Sequence, residues 1–140
     1  MLWESKMADT IQFELVAPEN LIFTGDVELV VVPGSEGDFG VLPGHANIIS
    51  TVRPGIVEIH EAGEVKERYF VAGGYAEVTA ERCTILSTEA LPFSDLDEDI
   101  AKKRIEEAEA DIKKADTDAE RDRSENSLNI ARAMLENAQN

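Results

Sequence analysis

The sequence predicts a mostly β N-terminal domain with an α tail: a flattened antiparallel β-sandwich followed by an antiparallel two-helix hairpin. Three observations predict it. Apolar and polar residues alternate between Gly and Pro punctuation from Thr10 to Ser87, which is the pattern of short half-buried strands. From Ser94 onward neither Gly nor Pro occurs, and Ala, Glu, Asp, Lys and Arg dominate, the composition of helices. The change of period falls at Pro92. It divides the chain into residues 1–9, read as disordered or as an upstream-start extension, a β-sandwich over 10–92 and a helical hairpin over 93–140.

Taken in order, Met1 to Lys6 carry neither the apolar core of a secretion signal nor the Arg-rich pattern of an organellar one, so Met7 reads as the better start. Ile11, Phe13 and Leu15 then share one strand face, with Gln12 and Glu14 on the other. Val27, Leu29 and Val31 repeat the alternation, while Val30 and Val32 make the opposite face apolar as well. That double-sided pattern predicts a strand covered on both faces, between two sheets. Ile56, Val57 and Ile59 lead into Glu61-Ala62-Gly63-Glu64 and out through Val65, Tyr69 and Val71, a hairpin signal. Gly73-Gly74 is expected to turn the chain into a strand over 75–79, and Arg82 to Ser87 closes the series.

In the tail, Ser94 with Asp97 resembles a capping box, and Leu96, Ile100, Ile105, Ala108 and Ile112 recur as one thin apolar stripe. Thr117 with Glu120 forms a second box, opening a helix that carries Leu128, Ala131, Leu135 and Ala138. Much of both stripes is Ala, and burial yields only about 0.8 kcal/mol per methylene-sized group, so docking of the hairpin is expected to be weak. Both a mobile switching element and a solubilising appendage fit that expectation.

At 140 residues the chain suits one compact domain, or a small domain with an appendage. Its formal net charge of -16 repels phosphate backbones, so nucleic acid is not an expected partner, and no apolar run is long enough to insert in a membrane. Cys83 is the only cysteine, which excludes an internal disulfide and a thiolate metal site.

Chemistry-bearing patterns are sparse. The Gly-rich run from Gly34 to Gly40 lacks the Lys-Ser/Thr ending of a phosphate loop and carries Glu36 and Asp38, so it reads as a turn system. Phe39 within it suits an exposed contact or an aromatic tucked over the core. His45 and His60 have no second His or Cys at metal-ligand spacing. His45 beside a Pro-Gly turn suits a hydrogen-bonded corner or a polar interface contact. The carboxylates of the tail are interspersed with cations, as in Glu98 to Lys102 and Asp99 to Lys103, the pattern of a solvated helix face.

The run Pro33-Gly-Ser-Glu36-Gly-Asp38-Phe39-Gly-Val-Leu-Pro43-Gly-His45-Ala46 resembles the signature loop of the epsilon-subunit family of bacterial F-type ATP synthases, counterpart of the mitochondrial delta subunit. Pro54-Gly55, then Val71 to Val78, then Thr84-Ile85-Leu86 resemble the family's later strand motifs in the same order, and Leu96-Asp97-Glu98 matches the start of its tail. The likeness spans Thr10 to the C-terminus. It implies a non-catalytic central-stalk subunit without cofactor, peripheral at the cytoplasmic face of the bacterial inner membrane, in a proton-translocating complex. Its implied partners are the gamma subunit, the c-ring and, through the hairpin, the catalytic alpha and beta subunits.

On that resemblance Glu36, Asp38, Phe39 and His45 are the expected c-ring interface. Asn47 stands where the family often has Pro. ATP-binding members resemble one another in a segment Ile/Leu-Asp-x-x-Arg-Ala, which here reads Leu96-Asp97-Glu98-Asp99-Ile100-Ala101. With Ile100 in the arginine position, Leu96, Asp97 and Ala101 are the remnant of a nucleotide site, and no nucleotide binding is expected. Two other readings stay open on the residues: a small ligand-binding or enzymatic sandwich using His45 with Asp38, and an acidic adaptor.

Overall fold

A computed structural model describes residues 10–139, and the expected extension over residues 1–9 lies outside the described residues. The chain divides between Pro92 and Phe93 into two compact units.

The first unit holds eight strands: β1 (Ile11–Ala17), β2 (Asn20–Val27), β3 (Leu29–Gly34), β4 (Gly37–Val41), β5 (Ile48–Glu61), β6 (Glu64–Val78), β7 (Arg82–Leu86) and β8 (Ala90–Pro92). Their hydrogen-bonded order is β2-β1-β7-β6-β5-β3-β4, with β8 beside β6. Every ladder is antiparallel except β1 with β7, which run parallel. The predicted sandwich is present. Its frame is the β5–β6 pair, 14 and 15 residues long, paired from Ile48 opposite Val78 to Glu61 opposite Glu64 with one register shift between Ile59 and His60. The last residues of β6, Tyr75 to Val78, pair with β7 and its middle, Tyr69 to Val71, with β8.

The alternation read from sequence builds the core. Ile11, Phe13 and Leu15 of β1 meet Val57, Ile59, Val71, Val78 and Ile85 in one fully buried cluster, each large side chain contributing about 1.5–3 kcal/mol on leaving water. Phe23 lies 5.7 Å from Phe13 and 6.1 Å from Tyr69, ring centre to ring centre, and closes one side of it. Cys83 is buried there, and loss of water pushes its thiol up to about 12.

Two sequence expectations change at the strands and turns. The Val27–Val32 run is not a layer between two sheets: β2 ends at Val27, β3 starts at Leu29, and Val27, Val30 and Val32 are fully buried while Leu29 and Val31 stay half-buried. A bend at Glu28 lets Val27, Val30 and Val32 share one core although Val27 differs from the other two in sequence parity. Gly73-Gly74 is not a turn either, because β6 runs unbroken through both at φ 99° and 124°. The predicted β5–β6 hairpin is present, its turn residues Ala62 and Gly63 both left-handed at φ 54° and 76°, as a two-residue hairpin turn matched to strand twist requires.

The second unit is a pair of contacting helices, α1 (Glu98–Lys114) and α2 (Asp118–Ala138). Gln139 at the end of α2 donates to Glu98 at the start of α1 over 3.4 Å, which makes the pair antiparallel, as predicted. The N-cap of α1 is Asp97, not Ser94: Asp97 Oδ1 accepts from the Asp99 and Ile100 amides at 2.8 and 3.1 Å. Ser94 instead lies in a 3-10 turn over Phe93–Asp95. Thr117 caps α2 as predicted, and Glu120 reaches back to the Asp116 amide at 2.9 Å. The predicted α1 stripe holds at Ile105, Ala108 and Ile112 and fails at one position, where Ala101 takes the buried place expected for Ile100. Ala101 and Ala108 are buried and Ile105 and Ile112 half-buried, whereas Ile100 is 55% exposed. Helical phase, once fixed by the cap, outranks side-chain size.

Candidate functional site

The signature run forms two connected turns. Ser35 and Glu36 bridge β3 and β4 between the paired residues Gly34 and Gly37. A Cβ on Gly34 would stand 2.7 Å from the Gly37 carbonyl and 2.9 Å from the Phe39 ring, so glycine there lets the ring lie over the strand end. Phe39 is half-buried and packs against the core cluster. The turn is tied to β5 by the Ser35 amide, which donates to the Thr51 carbonyl at 3.0 Å, and by the two hydroxyls of Ser35 and Thr51 at 2.6 Å.

Arg53 of β5 completes the attachment. One guanidinium nitrogen donates to the Gly34 carbonyl at 2.6 Å and another to Asp38 Oδ1 at 2.6 Å. Asp38 is thus an ion-paired carboxylate. Glu36 is exposed and has no partner among the described residues.

The second turn is Leu42-Pro43-Gly44-His45, closed by the His45 amide on the Leu42 carbonyl at 3.1 Å, with Gly44 at φ 85°. Proline followed by a left-handed glycine is the type II turn pattern. The Gly44 amide donates to Ala80 at 2.9 Å, and His45 Nδ1 lies 2.7 Å from the Ala46 carbonyl. The hydrogen bonds of Ser35, Asp38 and His45 therefore lead to Thr51, Arg53 and Ala46, not to one another. Among the described residues no group of His, Cys, Asp and Glu converges to hold a metal ion.

Between the first turn and the start of β5 lies an open groove of about 590 Å³, lined by Gly34–Phe39 and Ile48–Thr51. Ile49 on its rim is 77% exposed and nearby Leu42 is 57% exposed. A second exposed apolar feature crosses the sheet: Leu21 opposite Val16, Val16 opposite Leu86, and Leu86 opposite Tyr75. Leu21, Leu86 and Tyr75 are more than half exposed. Sequence reasoning named neither this row nor Ile49 and Arg53. The adjacent pair Ile48-Ile49, apolar on both strand faces, and a lone arginine following the acidic turn were the available signals. Of the tail residues, Leu96 is half-buried, Asp97 is committed to capping and Ala101 is fully buried.

The arrangement is that of a β-sandwich and helical-pair protein whose first loop is tied to the neighbouring strand β5 through Thr51 and Arg53. The family described as ATP synthase, Delta/Epsilon chain, beta-sandwich domain matches residues 10–93. The ATP synthase epsilon chain of Rhodospirillum rubrum is 47% identical over 92% of this chain and 96% of the relative. That of Rhodospirillum centenum is 49% identical over 93% and 92%. This chain belongs to the ATP synthase epsilon-chain family. Among solved structures, a chain of the Euglena gracilis mitochondrial ATP synthase, OSCP/F1/c-ring, matches at TM-score 0.76 and 30% identity over 94% of this chain and 82% of that one. A chain from the Tetrahymena thermophila mitochondrial ATP synthase central stalk and c-ring shares the fold, at TM-score 0.67 and 14% identity over 91% and 96%.

Proposed function

We propose that this chain is a non-catalytic rotor subunit of a bacterial F-type ATP synthase, linking the gamma subunit to the c-ring at the cytoplasmic face of the inner membrane. The observation that carries it is the apolar row across the sheet in which half-buried Val16 joins exposed Leu21, Leu86 and Tyr75. Contiguous exposed apolar surface on a soluble domain marks a contact with another protein, and gamma is the partner assigned to this face. The β3–β4 turn, with Glu36 on its tip and Ile49 beside it, is assigned to the polar loops of the ring, where a carboxylate meets basic side chains. His45 is assigned a supporting place in the second turn. Torque transmission needs stiff attachment rather than a reacting centre, and the bonds that tie the first turn to β5 suit that.

The tail is assigned no nucleotide site. Exposed Ile100 replaces the arginine that would clamp phosphate, and Asp97 spends its carboxylate on the α1 cap. No described helix is long and apolar enough to cross a membrane, so attachment runs through partners. The test is purification of the tagged chain from washed membranes, comparing wild type with Tyr75→Glu/Leu86→Glu. Wild type is expected to retain gamma and the catalytic subunits while the double variant loses them. Retention by the double variant, with unaltered circular dichroism, would remove this face from the gamma contact.

A further inference from the structure

We propose that Arg53 is the positioning residue of the ring-facing turn, and that by neutralising Asp38 it leaves Glu36 to carry the turn's outward charge. The inference rests on the assignment of that turn to the ring.

The geometry is specific to a guanidinium. Two separate nitrogens of Arg53 reach the Gly34 carbonyl and Asp38 Oδ1, both at 2.6 Å, so the strand end before the turn and the strand beginning after it are gripped together. A planar fork offers a separate nitrogen to each acceptor, whereas a lysine would have to serve both from a single one. The grip adds to the Ser35–Thr51 bonds on the same edge of β5. It therefore fixes both sides of a turn whose own residues, Ser35 and Glu36, are exposed.

The two carboxylates of the signature run consequently differ. Asp38 shares its charge with Arg53, and the pair presents little net field to a basic surface. Glu36 projects from the held turn without a partner among the described residues. Sequence reading treated the two as equal contributors, whereas the structure assigns one to holding and one to contact.

The test uses the assembled synthase in inverted membrane vesicles, with protons pumped per ATP hydrolysed measured at low and high salt. Glu36→Gln is expected to lower coupling severalfold and abolish its salt dependence. Asp38→Asn and Arg53→Gln are expected to lower coupling by one common factor, which the double variant does not exceed, while salt dependence persists. The exchange Asp38→Arg/Arg53→Asp should recover most of the loss, and Arg53→Lys only part. Multiplying losses in the double variant, or salt dependence lost with Asp38→Asn and kept with Glu36→Gln, would overturn the proposal. If Glu36→Gln leaves coupling untouched, the ring assignment fails and the proposal's claim about outward charge fails with it. The clamp is then judged separately from unfolding midpoints of the full isolated chain: non-additive shifts for Asp38→Asn and Arg53→Gln uphold it, and additive shifts dismiss it.

Discussion

A Cβ placed on Gly74 would stand 1.9 Å from the carbonyl oxygen of Leu86. The two strands approach closely here because β6 passes Gly73 and Gly74 with left-handed backbone, then pairs Tyr75 with Leu86. Gly74→Ala meets both a backbone clash and a φ that L side chains avoid, so a loss on the order of 3 kcal/mol is expected. Denaturant unfolding of the isolated chain measures it. A loss below about 1 kcal/mol would mean that β6 and β7 separate there without cost.

Cys83 should be silent to thiol reagents in the folded chain. Its sulfur is buried and burial pushes the thiol up to about 12, so at pH 8 neither access nor thiolate is available. Labelling is expected to follow the opening of the β1–β7–β6 core and to accelerate with denaturant in step with unfolding. Fast labelling in native buffer would place the sulfur in a locally open segment.

The ends of the helical pair carry a pH dependence of definite sign. The Lys102 hydrogen bond, then the Gln139 amide, hold the Glu98 carboxyl below its usual range. The folded form thus binds this proton less readily than the unfolded chain, and the stabilisation is complete above the ordinary carboxylate value. It disappears as pH falls through the lowered one. The hydrogen bond and charge of Glu98 raise Lys102 in turn, so that contribution is lost only as pH rises through the raised lysine value. Glu98→Gln should therefore flatten the acid limb of a helicity-against-pH curve and leave the neutral region nearly unchanged. Helicity of the full chain by circular dichroism decides it, and an unaltered acid limb would dismiss the pair as a contributor.

Nucleotide affinity offers a separate check on the tail. Wild type is expected to give no saturable heat with millimolar ATP in calorimetry, because exposed Ile100 supplies no donor. Saturable binding at that concentration would show that other basic residues of the helices replace the missing guanidinium.

Braking of ATP hydrolysis is expected to be weak or absent. In α2, Arg121 lies 3.8 Å from Asp118, and Arg123 shares a cleft with Glu120, so attraction toward an acidic surface is largely cancelled locally. Ending the chain before Ser94 should leave ATPase activity of the reassembled complex within about twofold, a barrier change under roughly 0.5 kcal/mol. A several-fold rise would show inhibition by packing instead of charge.

Strand existence and the helical pair were legible because burial alternates as Ile11, Phe13 and Leu15 do in sequence, and because Thr117-x-x-Glu120 is a local device. What escaped depends on neighbours distant in the chain. Gly73-Gly74 looks like a turn until Leu86 is known to lie against it. Asp97 outcompeted Ser94 as cap through the amides it meets, and that choice rotated Ile100 out and Ala101 in. At the site, the residue types of the signature run were readable, but the inequality of Glu36 and Asp38 was not. It arises from Arg53, fifteen positions beyond Asp38 and on another strand.

The parallel β1–β7 ladder bears on synthesis of the chain. Gln12 is paired with Arg82, and its amide and side chain bond Glu81 and Arg82, so the first strand to leave the ribosome waits for nearly the last one of its unit. Until Arg82 emerges, β1 has only β2 beside it, and Ile11, Phe13 and Leu15 lack the cover of Cys83 and Ile85. Contacts of such long sequence separation form late. The sandwich therefore closes only once β7 is available, and until then β1 keeps an uncovered apolar face.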